Sequence, residues 1–592
     1  MMCFCAGNRR GWVAWGILVA GAMTAVAEPA LADRPSVPSL LPDTTVVLLW
    51  SPGVPELTSG FMNSSLGRMG QDPQLKPLID EMYGALAQRV EGVHDRIGLS
   101  LAQLLAVPQG ELALAAIAAG DGPPELVALM DAGDRASDAR TLFEHAKKAL
   151  DQSGARKSVQ TLSGTKCLVY EDVGRRSRHL VFLERDATFV VGSSVESVQA
   201  ILNAWNGDQA GTLAKQAKFT TIMKRSGSEE LKPQLVWYVD PINLMRAVGN
   251  DNPGVRLAVA MLPVLGLDGV KALGGSVTFD AGQFDSIFYA HALLDGMRDG
   301  VVEMIALRPG ETEPEPWVPA DVAGYTTLGW HFPTTFKELT NLYDGFRGEG
   351  ALARLLEQRI ERRTGIHVEH DLLPYATGRV IHLTRIERPV TPRAQATLVA
   401  FQLSDEGPVR DALERVHERN RDFLVRKSFG GQKYLQVEPP RLTDEPEDGA
   451  RPRPCFGVMF GYLMLSNRTS LLEKVIATGE GKDESLSGAA DYRRVTSKIR
   501  QGPTKPSMIG FVRPWEGMRL IYESALAEES RERMRRGGQR NPFLSTLNLA
   551  LEKHALPPFE VIEQYLGPRG AVLVDDVSGL HYTGFTLRRE EQ

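Results

Sequence analysis

The chain has 592 residues, a formal net charge of −6 at pH 7, 43% hydrophobic and 24% charged residues. That length suits two to four domains, each with room for its own core, and the balance excludes a disordered, collagen-like or polycationic nucleic-acid-binding chain. With 57 Gly and 36 Pro, turns are frequent and a sheet-rich fold is expected rather than a helical bundle.

Arg9 and Arg10 precede an apolar run over 12–26, followed by Ala25-Val26-Ala27 and Ala30-Leu31-Ala32. Charge, apolar core and A-x-A in that order predict a secretory signal cleaved after Ala27 or Ala32, because 15 apolar residues fall short of the ~20 that span a bilayer as a helix. The stretch around Arg9-Arg10 loosely resembles the twin-arginine pattern. Cleavage also removes Cys3 and Cys5, neither preceded by the small apolar residues of a lipid-attachment site, and leaves Cys167 and Cys455. No later apolar stretch approaches spanning length, so the mature chain is expected not to span a membrane and to be periplasmic or secreted; the alternative is that the uncleaved run anchors the N-terminus in a membrane.

Along the first half the pattern predicts a strand at 46–50, helices through 54–92, strands at 111–117 and 125–131, and a helix at 136–150. Strands at 166–171, 179–184 and 187–192 follow, then a helix opening at Ser193 with capping-box spacing to Glu196. Four apolar strands each lead to a proline: 46–50 to Pro52, 235–239 to Pro241, 325–330 to Pro333 and 508–512 to Pro514. Ser51 and Asp240 suit caps in front of such prolines, and Thr335 with Glu338 has the spacing of a capping box. Residues 308–319 (RPGETEPEPWVP) have the composition of an extended spacer. The second half repeats the pattern, with an enlarged hairpin loop at 439–454.

The repetition extends to single residues. Gly110 matches Gly378 at an offset of 268, Arg140 and Glu144 match Arg410 and Glu414 at 270, Lys166 and Glu171 match Lys433 and Glu438 at 267, and Met245-Arg246 matches Met518-Arg519 at 273. Offsets that drift by loop-sized steps in unbroken order indicate a tandem duplication: unit 38–307, linker 308–319, unit 320–592. The expected fold is α+β with mainly antiparallel sheets and a split-βαβ-like order. Cys167 and Cys455 do not correspond in this alignment, which disfavours a disulfide between them.

Chemistry-bearing motifs are sparse. His367, Glu369 and His370 are weak candidates for metal ligands, usable together only if 366–373 is suitably folded, and the first half has no ligands at the matching positions. His417-Glu418 lacks the second histidine of a zinc-protease helix, Gly479 to Lys482 lacks the first glycine and the Ser/Thr of a phosphate loop, and no G-x-S-x-G elbow occurs. The arginines of 531–540 suit the last turn of a helix ending at Gly537-Gly538. No catalytic residue, cofactor or metal is assigned.

Leu41-Pro42-Asp43-Thr44, the strand after it, Asn63-Ser64-Ser65-Leu66-Gly67-Arg68 and 75–79 resemble the mature N-terminus of long, signal-bearing bacterial envelope proteins of unknown function. The resemblance returns faintly at Val318-Pro319-Ala320-Asp321. It implies an exported, duplicated α+β protein and no particular activity. The expectation is a non-enzymatic envelope protein that binds another envelope or extracellular protein or peptide, and not nucleic acid. The alternative is an exported metal-dependent hydrolase using His367, Glu369 and His370.

Overall fold

The computed structural model describes residues 34–81, 106–120, 122–171, 173, 179–227, 231–249, 252–391, 393–438, 453–499, 505–527, 532, 548 and 550–589. The signal-like segment, the loop at 439–452 and nearly all of 531–540 lie outside them. Contacts divide the chain into one unit within Met1–Ala260, Lys271–Leu293 and Met534–Pro558, and another within Met261–Val270, Leu294–Arg533 and Phe559–Gln592. Each is an α+β unit.

The first unit contains β1 (Thr45–Ser51), β2 (Leu112–Ile117), β3 (Glu125–Asp131), β4 (Arg156–Leu162), β5 (Thr165–Glu171), β6 (His179–Arg185), β7 (Thr188–Gly192), β8 (Leu235–Val239), β9 (Val270–Ala281) and β10 (Phe284–Leu294). Their order is β4-β5-β6-β7-β3-β2-β1-β8-β9-β10. The ladders from β4 to β9 are antiparallel. β3 and β4, joined by helix Ala136–Gln152, therefore run the same way with β5, β6 and β7 between them, which is the split βαβ expected. Helix Val195–Trp205 buries Val198, Ile201, Leu202 and Trp205 at helical spacing, and helix Ala217–Arg225 buries Phe219 and Ile222. These side chains share one core with Leu48, Leu129, Val190 and Tyr238 from the strands.

The second unit contains β11 (Gly324–Gly329), β12 (Ala376–Ile386), β13 (Gln395–Leu403), β14 (Leu424–Phe429), β15 (Gln432–Val437), β16 (Cys455–Met459), β17 (Tyr462–Ser466), β18 (Met508–Val512), β19 (Arg569–Asp576) and β20 (Gly579–Leu587). Their order, β14-β15-β16-β17-β13-β12-β11-β18-β19-β20, is that of the first unit. Register agrees as well. Leu48 faces Tyr238 and Ala115, and Tyr325 faces Phe511 and Leu383. Helices Pro241–Gly249 and Pro514–Leu526 both open on the proline that follows the matching strand. A T-shaped Phe219–Tyr238 pair at 5.4 Å in one unit answers a T-shaped Tyr492–Phe511 pair at 5.4 Å in the other, with the hydroxyl moved to the partner ring.

Several expectations change. Strands β4, β9 and β10 are additional to those read from the sequence. The helix after β7 is capped by Ser194, whose hydroxyl accepts from the Ser197 N–H at 3.0 Å, while Ser193 accepts from Leu126 N–H in the neighbouring strand. Ser51 is buried and caps nothing; helix Val54–Asn63 starts behind Gly53. Thr335 lies inside helix Phe332–Arg347, where it donates to Met304 O and accepts from the Trp330 indole, so it forms no capping box.

The stretch at 308–319 is not a free spacer. Trp317 and Val318 are buried, the Trp317 ring meets Tyr462 edge-on at 5.2 Å, and Glu315 pairs with Arg379 at 2.5 Å and accepts from the Tyr462 hydroxyl at 2.6 Å. The first unit holds its own opening segment the same way with the signs reversed: Arg34 pairs with Glu111 at 2.6 Å, and Glu111 stands at the register position of Arg379. Pro42 bridges Thr212 as Pro319 bridges Ser485. Composition misled because two apolar residues anchor an otherwise polar, proline-rich segment.

Gly274 and Gly570 occupy matching places in β9 and β19, each under a helix. A Cβ on Gly274 would stand 2.4 Å from Ile222 Cγ2, and one on Gly570 would stand 2.7 Å from Val495 Cγ1. Gly274→Val and Gly570→Val are each expected to cost about 1–3 kcal/mol by overpacking, read as a lower urea midpoint. A midpoint unchanged by both would contradict this close approach of helix and strand.

Candidate functional site

A groove opens from the turn between β8 and helix Pro241–Gly249. Asp240 donates its N–H to Val46 O at 2.8 Å, which ties the turn to β1. Its carboxylate is almost wholly buried and caps the helix, accepting from Asn243 N–H at 3.1 Å and from the Asn243 amide at 2.9 Å. Lys218 completes the set with an ammonium at 2.5 Å. Next to this compensated pair lies a groove of about 570 Å³, within the range of small-ligand sites. Val46, Ala118 and Ala247 are its apolar members, Thr44, Gln216 and Asn243 are polar, and Asp43 and Arg246 bring opposite charges. Asp43 is exposed; among the described residues its carboxylate has no ion pair.

The matching place in the second unit is closed. Arg513 stands where Asp240 does and donates its N–H to Ala323 O at 2.8 Å, the counterpart of Val46 O. Its guanidinium pairs with Asp491, the counterpart of Lys218, at 2.6 Å, and donates to Ala320 O and Val322 O. Ala323, Ile386 and Ala394 form a small core there, covered by Val390 and Leu520. By register and helix position these replace the first unit's Val46, Ala118 and Ala247: Ile386 for Ala118 and Leu520 for Ala247. Seven residues separate the paired Ile117 and Glu125, whereas ten separate Arg385 and Ala396. The longer connection supplies Val390, and Arg388 fastens it to Glu516 at 2.9 Å. Ala118 and Ala247 are smaller than their counterparts Ile386 and Leu520, whereas Val46 is larger than Ala323; two smaller side chains and a shorter loop leave open in one unit what the other fills.

The histidine segment is placed differently from what chelation asks. Val368–Leu372 is a single wide turn of helix, and the His367 and His370 rings stack at 4.2 Å. Burial of Asp371 raises its pKa, but the His367 N–H at 2.8 Å and Arg415 at 2.7 Å outweigh it and hold the carboxyl below its ordinary range. Glu369 instead lines a shallow apolar recess with Pro333, Phe336 and Leu373. Among the described residues no three His, Cys, Asp or Glu side chains are grouped as metal ligands would be.

Cys167 and Cys455 are buried and unpaired. Burial pushes both thiols up, Cys455 to about 12, so neither is a thiolate at neutral pH. No helix of the described residues is long and apolar enough to cross a membrane. The groove carries no sequence motif because its walls are ordinary residues; its trace in the sequence is Ala118 and Ala247 at the places of Ile386 and Leu520. Comparison with protein families, curated proteins and solved structures finds no match to this chain.

Proposed function

We propose that this is an exported envelope protein, descended from a duplicated unit, that works by binding a protein or peptide. The observation that carries the reading is the groove beside Asp240: one unit keeps open, with compensated charge around it, a place that the other fills from its own chain. Divergence after duplication commonly leaves one copy structural and frees the other to take a ligand, and the shared strand order and register support such a history. Export is supported by the charge, apolar run and A-x-A order of residues 1–32. The groove's charged groups cap, pair or sit at the rim, an arrangement suited to recognition.

The competing reading is a hydrolase whose metal is held by His367, Glu369 and His370. Purified protein, dialysed and assayed for zinc by atomic emission, is expected to contain far less than one equivalent, and replacing His367 and His370 by Ala is expected to change no peptidase or esterase rate. Stoichiometric zinc together with a hydrolytic rate lost in the double variant would overturn the binding reading.

A further inference from the structure

The second unit covers the place that matches the first unit's groove with a segment of its own chain. Its 387–394 connection, Glu-Arg-Pro-Val-Thr-Pro-Arg-Ala, sets Val390 on the apolar floor of Ala323, Ile386 and Ala394 beside Leu520, and holds Arg388 on Glu516. In the first unit the groove is lined at the matching places by Val46, Ala118 and Ala247; Ala118 is the most exposed of the three. Asn243 occupies the place of Glu516, and the groove's exposed carboxylate is that of Asp43 on the rim. Arg246, already a donor to Asn243 Oδ1 at 3.2 Å, stands on the same rim and suits a peptide carbonyl.

We propose that the first unit's groove binds a short extended peptide segment of a partner protein, one that carries a branched aliphatic side chain next to a basic residue. The aliphatic group covers Val46, Ala118 and Ala247, and the basic group pairs with Asp43. This rests on the binding reading above and adds the ligand class. It also explains why the open unit has alanine where the closed unit has isoleucine and leucine: a Cβ-only wall leaves space for one branched side chain from outside.

The test uses the full chain and a dye-labelled synthetic peptide of the 387–394 sequence, followed by fluorescence anisotropy. Saturable binding with a Kd on the order of micromolar is expected. Filling the groove with the second unit's own residues, Ala118→Ile with Ala247→Leu, is expected to weaken binding by about tenfold or more while the protein still unfolds cooperatively. Should that variant fail to fold, two further measurements decide. A peptide with Asp in place of Val390 is expected to lose about tenfold or more, and Asp43→Asn is expected to weaken binding roughly threefold, less so at high salt. Failure to saturate, or equal affinity for the filled and open proteins, would overturn the assignment of this ligand class. The binding reading itself is decided separately, by the zinc and hydrolysis measurements.

Discussion

Asp240→Arg is expected to destabilise the first unit by about 3 kcal/mol or more, because it sets a second cation against Lys218 at a buried helix start and removes the cap. Asp240 has a side chain only 2% exposed, whereas Lys218 is 33% exposed; solvent screens the lysine, which places the cost near the lower end of that for breaking a fully buried pair. The informative experiment is the rescue. Lys218→Asp combined with Asp240→Arg reproduces the pair that the second unit already carries as Asp491 and Arg513, in the same register and with the same backbone bond to β1 or β11. The double variant is expected to regain most of the loss, read as urea midpoints in a double-mutant cycle. Equal losses in single and double variants would mean that the two turns are not interchangeable frames.

Trp317→Ala is expected to cost about 3–5 kcal/mol, although the residue lies in a stretch with the composition of a linker. Trp317 is 2% exposed and packs edge-on against Tyr462, whose hydroxyl in turn donates to Glu315. Removing the indole leaves a cavity beside the Glu315–Arg379 pair and opens that pair to water. Trp317→Phe should keep most of the stability. Denaturation followed by near-ultraviolet circular dichroism checks both, and a midpoint unmoved by the alanine variant would restore the view of 308–319 as a spacer.

These two cases show where the sequence was legible and where it was not. Strands with a following proline, such as Leu235–Val239 before Pro241, could be read because apolar alternation and a fixed φ act locally. The split βαβ order followed from those elements. Strand β9 could not be read: Gly274 and Gly275 interrupt it, and the reason for them is distant in sequence, since a Cβ on Gly275 would meet Tyr289 O at 2.0 Å. Reversed ion pairs hid for a related cause. Arg34–Glu111 against Glu315–Arg379, and Lys218–Asp240 against Asp491–Arg513, place ion pairs of reversed sign at matching positions, where no residue is identical between the units. The groove was hidden still more completely, because a ligand site made by small side chains and a shorter loop has no motif. His367 and His370 are no more than weak ligand candidates in the sequence, and how their rings lie, stacked at 4.2 Å, could not be read from it.

Hydrogen–deuterium exchange on the full chain, with and without the 387–394 peptide at saturating concentration, distinguishes an open groove in the first unit from a filled place in the second. Slower exchange is expected at residues 43–46, 118–120 and 240–247, which border the open groove, and no slowing at the second unit's 320–323 and 513–520, where Val390 and Arg513 already fill the place. Protection confined to the second unit, or no protection in the first, would contradict that distinction.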